Sequence, residues 1–202
     1  MSPADPIRRA GLHARLRAAT DPAHRALEAG LDWQARVATR AGYRDLLARL
    51  HGFHAAWEPA IGAQLSDEPF LAPRRRLALL AADLDHLGLA PAAVAALPRP
   101  EALALDGPAA ATGALYVLEG STLGGQLIGR HIAGLHGLEE TGLAYYRAHG
   151  PRTGAMWAAF RTRLEDFADD PQAETALTGA AVATFAAMRA WLCAARGLPA
   201  TG

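Results

Sequence analysis

His24 and Glu28 stand four residues apart in the segment LRAATDPAHRALE, one helical turn on a single face. At that spacing the carboxylate can reach back to ring Nδ1, orienting the imidazole and making Nε2 a better metal ligand. The same pair, met alone, reads first as a surface histidine with a helix-face carboxylate neighbour. His51, His54 and Glu58 form a second cluster with ligand-like spacing. A carboxylate-bridged di-iron bundle needs Glu-x-x-His motifs on two helices, and the chain has none, so these are expected to be partly exposed polar residues. His131, His136 and His149 have no spaced partners, and His13 and His86 carry no signal of their own.

A different kind of signal lies in ALYVLEGSTLGGQLIGRH, from Ala114 to His131. Leu115, Leu118, Leu123, Leu127 and Ile128 recur at helical spacings, which predicts a buried helix. Gly120, Gly124, Gly125 and Gly129 sit inside it. Each interior glycine costs roughly 0.5–1 kcal/mol relative to alanine, so four cost on the order of 2–4 kcal/mol. At about 100° per residue, Gly113, Gly120 and Gly124 fall on one stripe and Ser121, Gly125 and Gly129 on an adjacent one. Bare backbone on such stripes admits either a close-packed helix or a flat, bulky ligand. The second stripe is open to both readings; for the first, with the Gly124–Gly125 pair beside it, approach of a ligand is expected. The Ser121 hydroxyl either anchors a water there or bonds its own helix carbonyl one turn back.

These residues are carried by helices throughout. The pattern predicts a first helix from Ile7 to Glu28, interrupted or kinked at Asp21–Pro22, with Thr20 as an alternative cap. Thr39 is expected to cap a second helix ending near Trp57, where Glu58–Pro59 weakens it. Pro73 to Leu87 reads as a third, opened by Arg74, Arg75 and Arg76 and stopped by Gly88. A connection rich in proline and alanine runs from Leu89 to Pro108. The glycine-rich helix ends near Gly134 or Gly137, a further helix spans Gly154 to Phe167, and Pro171 opens a last one running to Arg196 with Gly197 as its stop. With no strand pattern and no repeat, the 202 residues form one all-α, multi-helix bundle over 1–202.

Composition excludes several classes. Lys+Arg 20 balances Asp+Glu 20, so nothing points to a nucleic-acid partner. Every one of those basic residues is arginine, which removes Schiff-base and phosphate-loop lysine chemistry and favours bidentate recognition of carboxylates. Cys193 is the single cysteine, so a disulfide-stapled fold is out; it is expected to pack as a small hydrophobe in the last helix. Neither a signal-peptide pattern nor a bilayer-length apolar run is present, which reads as a soluble, cytoplasmic protein without a membrane partner.

The run YVLEGSTLGG resembles the distal helix of heme oxygenases, whose kinked, glycine-rich backbone lies over the heme face. LRAATDPAHRALE resembles that family's proximal segment with its iron-ligating histidine, and the order and separation of the two landmarks match. A weaker C-terminal match, FRTRLEDF…ATFAAM, extends the likeness over most of the chain. The resemblance implies an all-α, heme oxygenase-like enzyme of the bacterial, biliverdin-producing type, with heme as substrate and cofactor together. His24 would ligate the iron and Glu28 would orient it. Gly120 and Gly124 would bring backbone over the oxygen site, with Gly125 also at the heme. Arg17 and Arg161 would meet the heme propionates and Phe185 would pack on the macrocycle. Two positions depart from the family: Ser121 stands where mammalian members carry an aspartate, and Asp21 replaces a second basic residue of the propionate clamp. Electrons would come from an external ferredoxin or reductase, since no flavin or nicotinamide fingerprint is present. A biliverdin-using phytochrome is a further partner that the resemblance suggests. The serine keeps a second reading alive, a heme carrier or sensor on the same scaffold. A thiaminase-like helical enzyme would leave His24 and the glycines unexplained.

Overall fold

The computed structural model describes residues 11–139 and 141–194. Ten α-helices follow in order: α1 Leu12–Leu31, α2 Trp33–Val37, α3 Arg40–Leu65, α4 Glu68–Leu71, α5 Leu77–His86, α6 Pro91–Ala95, α7 Gly107–His136, α8 Ala144–Arg147, α9 Thr153–Leu164 and α10 Pro171–Leu192. Short 3₁₀ turns follow α4 and α9 and precede α9, and there is no strand among the described residues. The all-α expectation holds. No helix is long and apolar enough to cross a membrane among the described residues.

The longest helix, α7, is the spine. It packs along α10 and α3, and α1 lies against α10. A core of Tyr43, Leu46, Phe53, Trp57 and Ile61 on α3 meets Leu115 and Leu118 of α7 and Leu177 and Leu192 of α10. Phe53 and Trp57 stack with ring centroids 4.0 Å apart, one turn apart on α3.

Local signals place several ends. The Thr39 side chain accepts from Gly42 N at 3.0 Å, satisfying an orphan donor at the start of α3. Asp170 accepts from Gln172 N and Ala173 N ahead of Pro171, capping α10. Gly137 takes φ 63° and ends α7, with Leu138 N donating to Ala133 O. Two prolines lie inside helices. Helix α1 runs unbroken through Pro22, and Thr20 caps nothing: its hydroxyl donates to Leu16 O at 2.8 Å. Likewise α3 continues through Pro59 to Leu65 rather than stopping near Trp57. In both cases burial of the flanking apolar residues outweighs one lost backbone bond. The third helix starts later than expected, at Leu77, because Ala72–Arg74 winds as a 3₁₀ turn. Helix α10 ends at Leu192, short of the expected Arg196, and Cys193 is half-buried in the bend beyond it. The expected start at Ile7, and Arg196 and Gly197, lie outside the described residues.

Candidate functional site

A cavity of about 660 Å³ opens between α1, α7, α9 and α10, within the ~300–1,000 Å³ range of small-molecule sites. One wall is a stripe of α1. His13, Arg17, Thr20, His24, Leu27 and Glu28 recur at three- and four-residue steps, so one helix face supplies them all. His24 is half exposed within the cavity, and its Nδ1 lies 3.4 Å from Glu28 Oε2. Phe185 of α10 meets the His24 ring edge-on, centroids 5.5 Å apart at 90°. An imidazole braced by a carboxylate and an aromatic has Nε2 left without a protein partner among the described residues. That is the chemistry of a single-histidine ligand.

The facing wall is α7. Gly120 and Gly124 line the cavity, and a Cβ added at either meets no atom within 4 Å. Gly113, one stripe member earlier, is different. Its Cβ would lie 2.0 Å from Leu177 O, so this glycine lets α10 touch α7 and takes no part in the cavity. The expectation for Gly125 is also corrected. It is buried, lies outside the cavity, and a Cβ there would rest 3.5 Å from Tyr146 Cδ1. One residue past Gly124 is about 100° further round the helix, which turns Gly125 from the cavity toward α8. Gly129 follows it, its Cβ position 2.9 Å from Tyr146 Cβ.

Ser121 sits on the cavity edge with its hydroxyl donating to Leu118 O at 2.7 Å, one turn back. It also borders a small buried space with Arg76, Tyr145 and His149. Behind α7 that space joins a polar cluster. The Glu119 carboxylate is buried 3.5 Å from Arg74 Nε and 3.9 Å from His149 Nε2. Arg76 N donates to Glu58 Oε1 at 2.8 Å, and the same oxygen accepts from His54 Nδ1 at 2.8 Å. His54 Nε2 is then the acceptor facing the Tyr145 hydroxyl at 3.5 Å. Burial lowers the His54 pKa below its ordinary value, and Glu58 only partly restores it. His54, expected to be partly exposed, is thus a fully enclosed member of a network. No group of three or more His, Cys, Asp or Glu side chains is placed to hold a metal among the described residues.

The cationic side of the cavity is incomplete by the sequence expectation. Arg17 lines it, whereas Arg161 of α9 stays outside the lining and acts on it through its charge near His13. Asp21 is bonded to Arg25, so that carboxylate is neutralised one turn along its own helix. Sequence reasoning missed His13, Tyr116, Trp157 and Met188. The signal was present for the first: His13 stands eleven residues before His24, close to three whole turns, on the same face. Tyr116 is likewise one turn before Gly120. Trp157 reaches the cavity from α9, a placement that only the tertiary fold supplies.

The Heme oxygenase family model matches residues 10–194, and the chain belongs to that family. Among solved structures it is similar to heme oxygenase 2 from Chlamydomonas reinhardtii, determined without heme. The identity is 20%, with 95% of this chain and all of that one covered and a TM-score of 0.79. It is also similar to the NO- and CO-bound heme oxygenase from Neisseria meningitidis, at 24% identity, 90% coverage of each chain and a TM-score of 0.69. At these identities the two structures speak for the fold. No curated relative matches the sequence.

Proposed function

We propose that this protein is a heme oxygenase that opens heme to biliverdin, carbon monoxide and ferrous iron, using O2 and electrons from an external donor. The observation that carries the reading is the pairing within one cavity of His24, braced by Glu28, with the bare backbone of Gly120 and Gly124. The residues fit the group: a free imidazole nitrogen for iron, an apolar aromatic wall at Phe185, and a guanidinium at Arg17 for a carboxylate. Heme itself supplies the oxygen-activating iron and the carbon skeleton that is oxidised.

The chain's own contribution is binding, orientation and exclusion. His24 would hold the iron, and Glu28 beside Nδ1 would keep the ring in its ligating tautomer. Gly120 and Gly124 would leave room beside the α7 backbone for a small ligand of the iron, and that backbone would limit its orientation by steric contact. Ser121, whose proton is already committed to Leu118 O, presents only an acceptor to an ordered water. Arg17 in the lining, with Arg161 further out, would meet the propionates and so bias how the macrocycle sits. A cytoplasmic ferredoxin or reductase is the electron source in this scheme, and a biliverdin-using phytochrome is a consumer of its product.

Hemin followed by ascorbate or a reductase in air tests the proposal. Decay of the Soret band with growth of biliverdin absorbance is the expected result. A bound but unchanged spectrum would instead select a heme carrier, the reading that a serine in place of a distal carboxylate supports.

A further inference from the structure

We infer that His13 is a titrating contact for the carboxylate edge of the tetrapyrrole, supplying at the far end of the α1 stripe the positive charge that Asp21 does not. This rests on reading the cavity as a heme site.

Position comes first. His13 and His24 share one face of α1 and line one cavity, about 16 Å apart along the helix axis. A side chain that far along the axis cannot share the iron with His24, but it lines the same cavity. Arg17 lies between them, two turns from His24 on the same face. The stripe thus runs from ligand to guanidinium to imidazole, while the intervening Asp21 is tied to Arg25.

The setting of His13 fits an anion contact. Its ring is gripped edge-on by two aromatic walls, Trp157 at 5.5 Å and 78° and Tyr116 at 6.3 Å and 62°. Neither ring nitrogen has a hydrogen-bond partner among the described residues. The charged and titratable groups facing it are Arg17 on its own helix, Arg161 on α9, Glu165 in the turn beyond α9, and the Tyr116 phenol on α7. Neither Arg17 nor Arg161 forms an ion pair among the described residues, so two unneutralised guanidiniums crowd one imidazole. Burial first, then Arg161 and Arg17, push its pKa below the ordinary value, and Glu165 opposes them. The ligand-free site therefore favours the neutral form of His13.

A dicarboxylate placed among these groups reverses the sign of the local field. The guanidiniums become paired, and the nearby carboxylates favour imidazolium. Since the bound-state pKa then exceeds the free-state pKa, binding takes up a proton. Affinity from this source is full below the free-state value and falls as pH rises toward the bound-state value. Histidine is the side chain suited to such a response near neutrality.

Soret titrations of the full chain with hemin and with hemin dimethyl ester, from about pH 5.5 to about pH 8.5, test this. Every group other than His13 is common to wild type and variants, so the ratio between them isolates His13. We expect His13→Asn to lose about three- to tenfold in hemin affinity at the acid end, with the difference closing at the alkaline end. The ester, which has no carboxylate charge, should bind both proteins equally. His13→Arg should hold the acid-end affinity across the whole range. It also keeps the test available if the asparagine variant folds poorly: an arginine variant with the wild-type pH slope would overturn the inference. So would His13→Asn matching wild type at every pH while wild type keeps its His24-dependent spectrum. If wild type shows no Soret shift, or His24→Ala leaves that shift intact, the heme reading itself has failed.

Discussion

Two sets of glycines on α7 do opposite things. Gly120 and Gly124 face open space in the cavity, and no neighbour would touch a methyl group placed on them. Gly113 faces the backbone of α10, and Gly125 and Gly129 face Tyr146. The first set gives up helix stability without gaining any packing, and unlike the equally open Gly134 it lines the cavity. The second set gains close helix contacts in return. An interior glycine is therefore ambiguous by type alone, and what stands opposite it decides its meaning.

The largest effect should come from the packed set. Gly113→Ala forces a Cβ to within 2.0 Å of Leu177 O, and backbone cannot move aside as a flexible side chain would. A loss of about 3 kcal/mol or more is expected, read as a drop in the denaturation midpoint. Stability equal to wild type would erase the contrast between the sets.

Gly124→Leu should behave in the opposite way. The heme-free protein should hold its thermal midpoint, because leucine is the better helix former by roughly 0.5–1 kcal/mol. Turnover of heme under ascorbate should fall tenfold or more, about 1.4 kcal/mol in barrier. A destabilised variant with normal turnover per folded molecule would assign this glycine to packing as well.

Gly120→Ala sharpens the comparison further. With nothing within 4 Å, the methyl group costs no contact, and heme-free stability should rise by about 0.5–1 kcal/mol. A fall measured by chemical denaturation would mean that the open face is needed by the fold.

The smallest effect belongs to the polar cluster behind α7. The folded-state pKa of His54 lies below its unfolded value of 6.5, so the unfolded chain binds the extra proton. Stability from this group is present above pH 6.5 and declines as pH falls toward the folded-state value. Denaturation midpoints measured on either side of that value should show this slope, and His54→Gln should flatten it.

Much of this was legible in the sequence, for reasons that also mark where legibility ended. The i, i+4 relation of His24 and Glu28 is local helix geometry, and it is realised at 3.4 Å. The caps at Thr39 and Asp170 and the left-handed Gly137 are local as well. Periodicity gave the azimuth of each glycine but not the neighbour at that azimuth, so Gly113 and Gly125 were grouped with the ligand face. The Arg74-Arg75-Arg76 run is legible in the sequence only as the opening of a helix, yet Arg74 and Arg76 are buried against Glu119 and His149. Those partners lie 45 or more positions away in the chain, and no spacing rule reaches that far. His13 fell between the two cases: its face was readable, but its aromatic walls come from α7 and α9.

In the proposed function α1 and α7 enclose a site for heme ligated by His24. Hemin added to His24→Ala tests it most directly, with the Soret region followed before and after imidazole. The variant should lose the histidine-ligated spectrum and turnover, and imidazole should restore part of both by occupying the vacated position. A variant with the wild-type spectrum would place the iron on another residue and contradict the account.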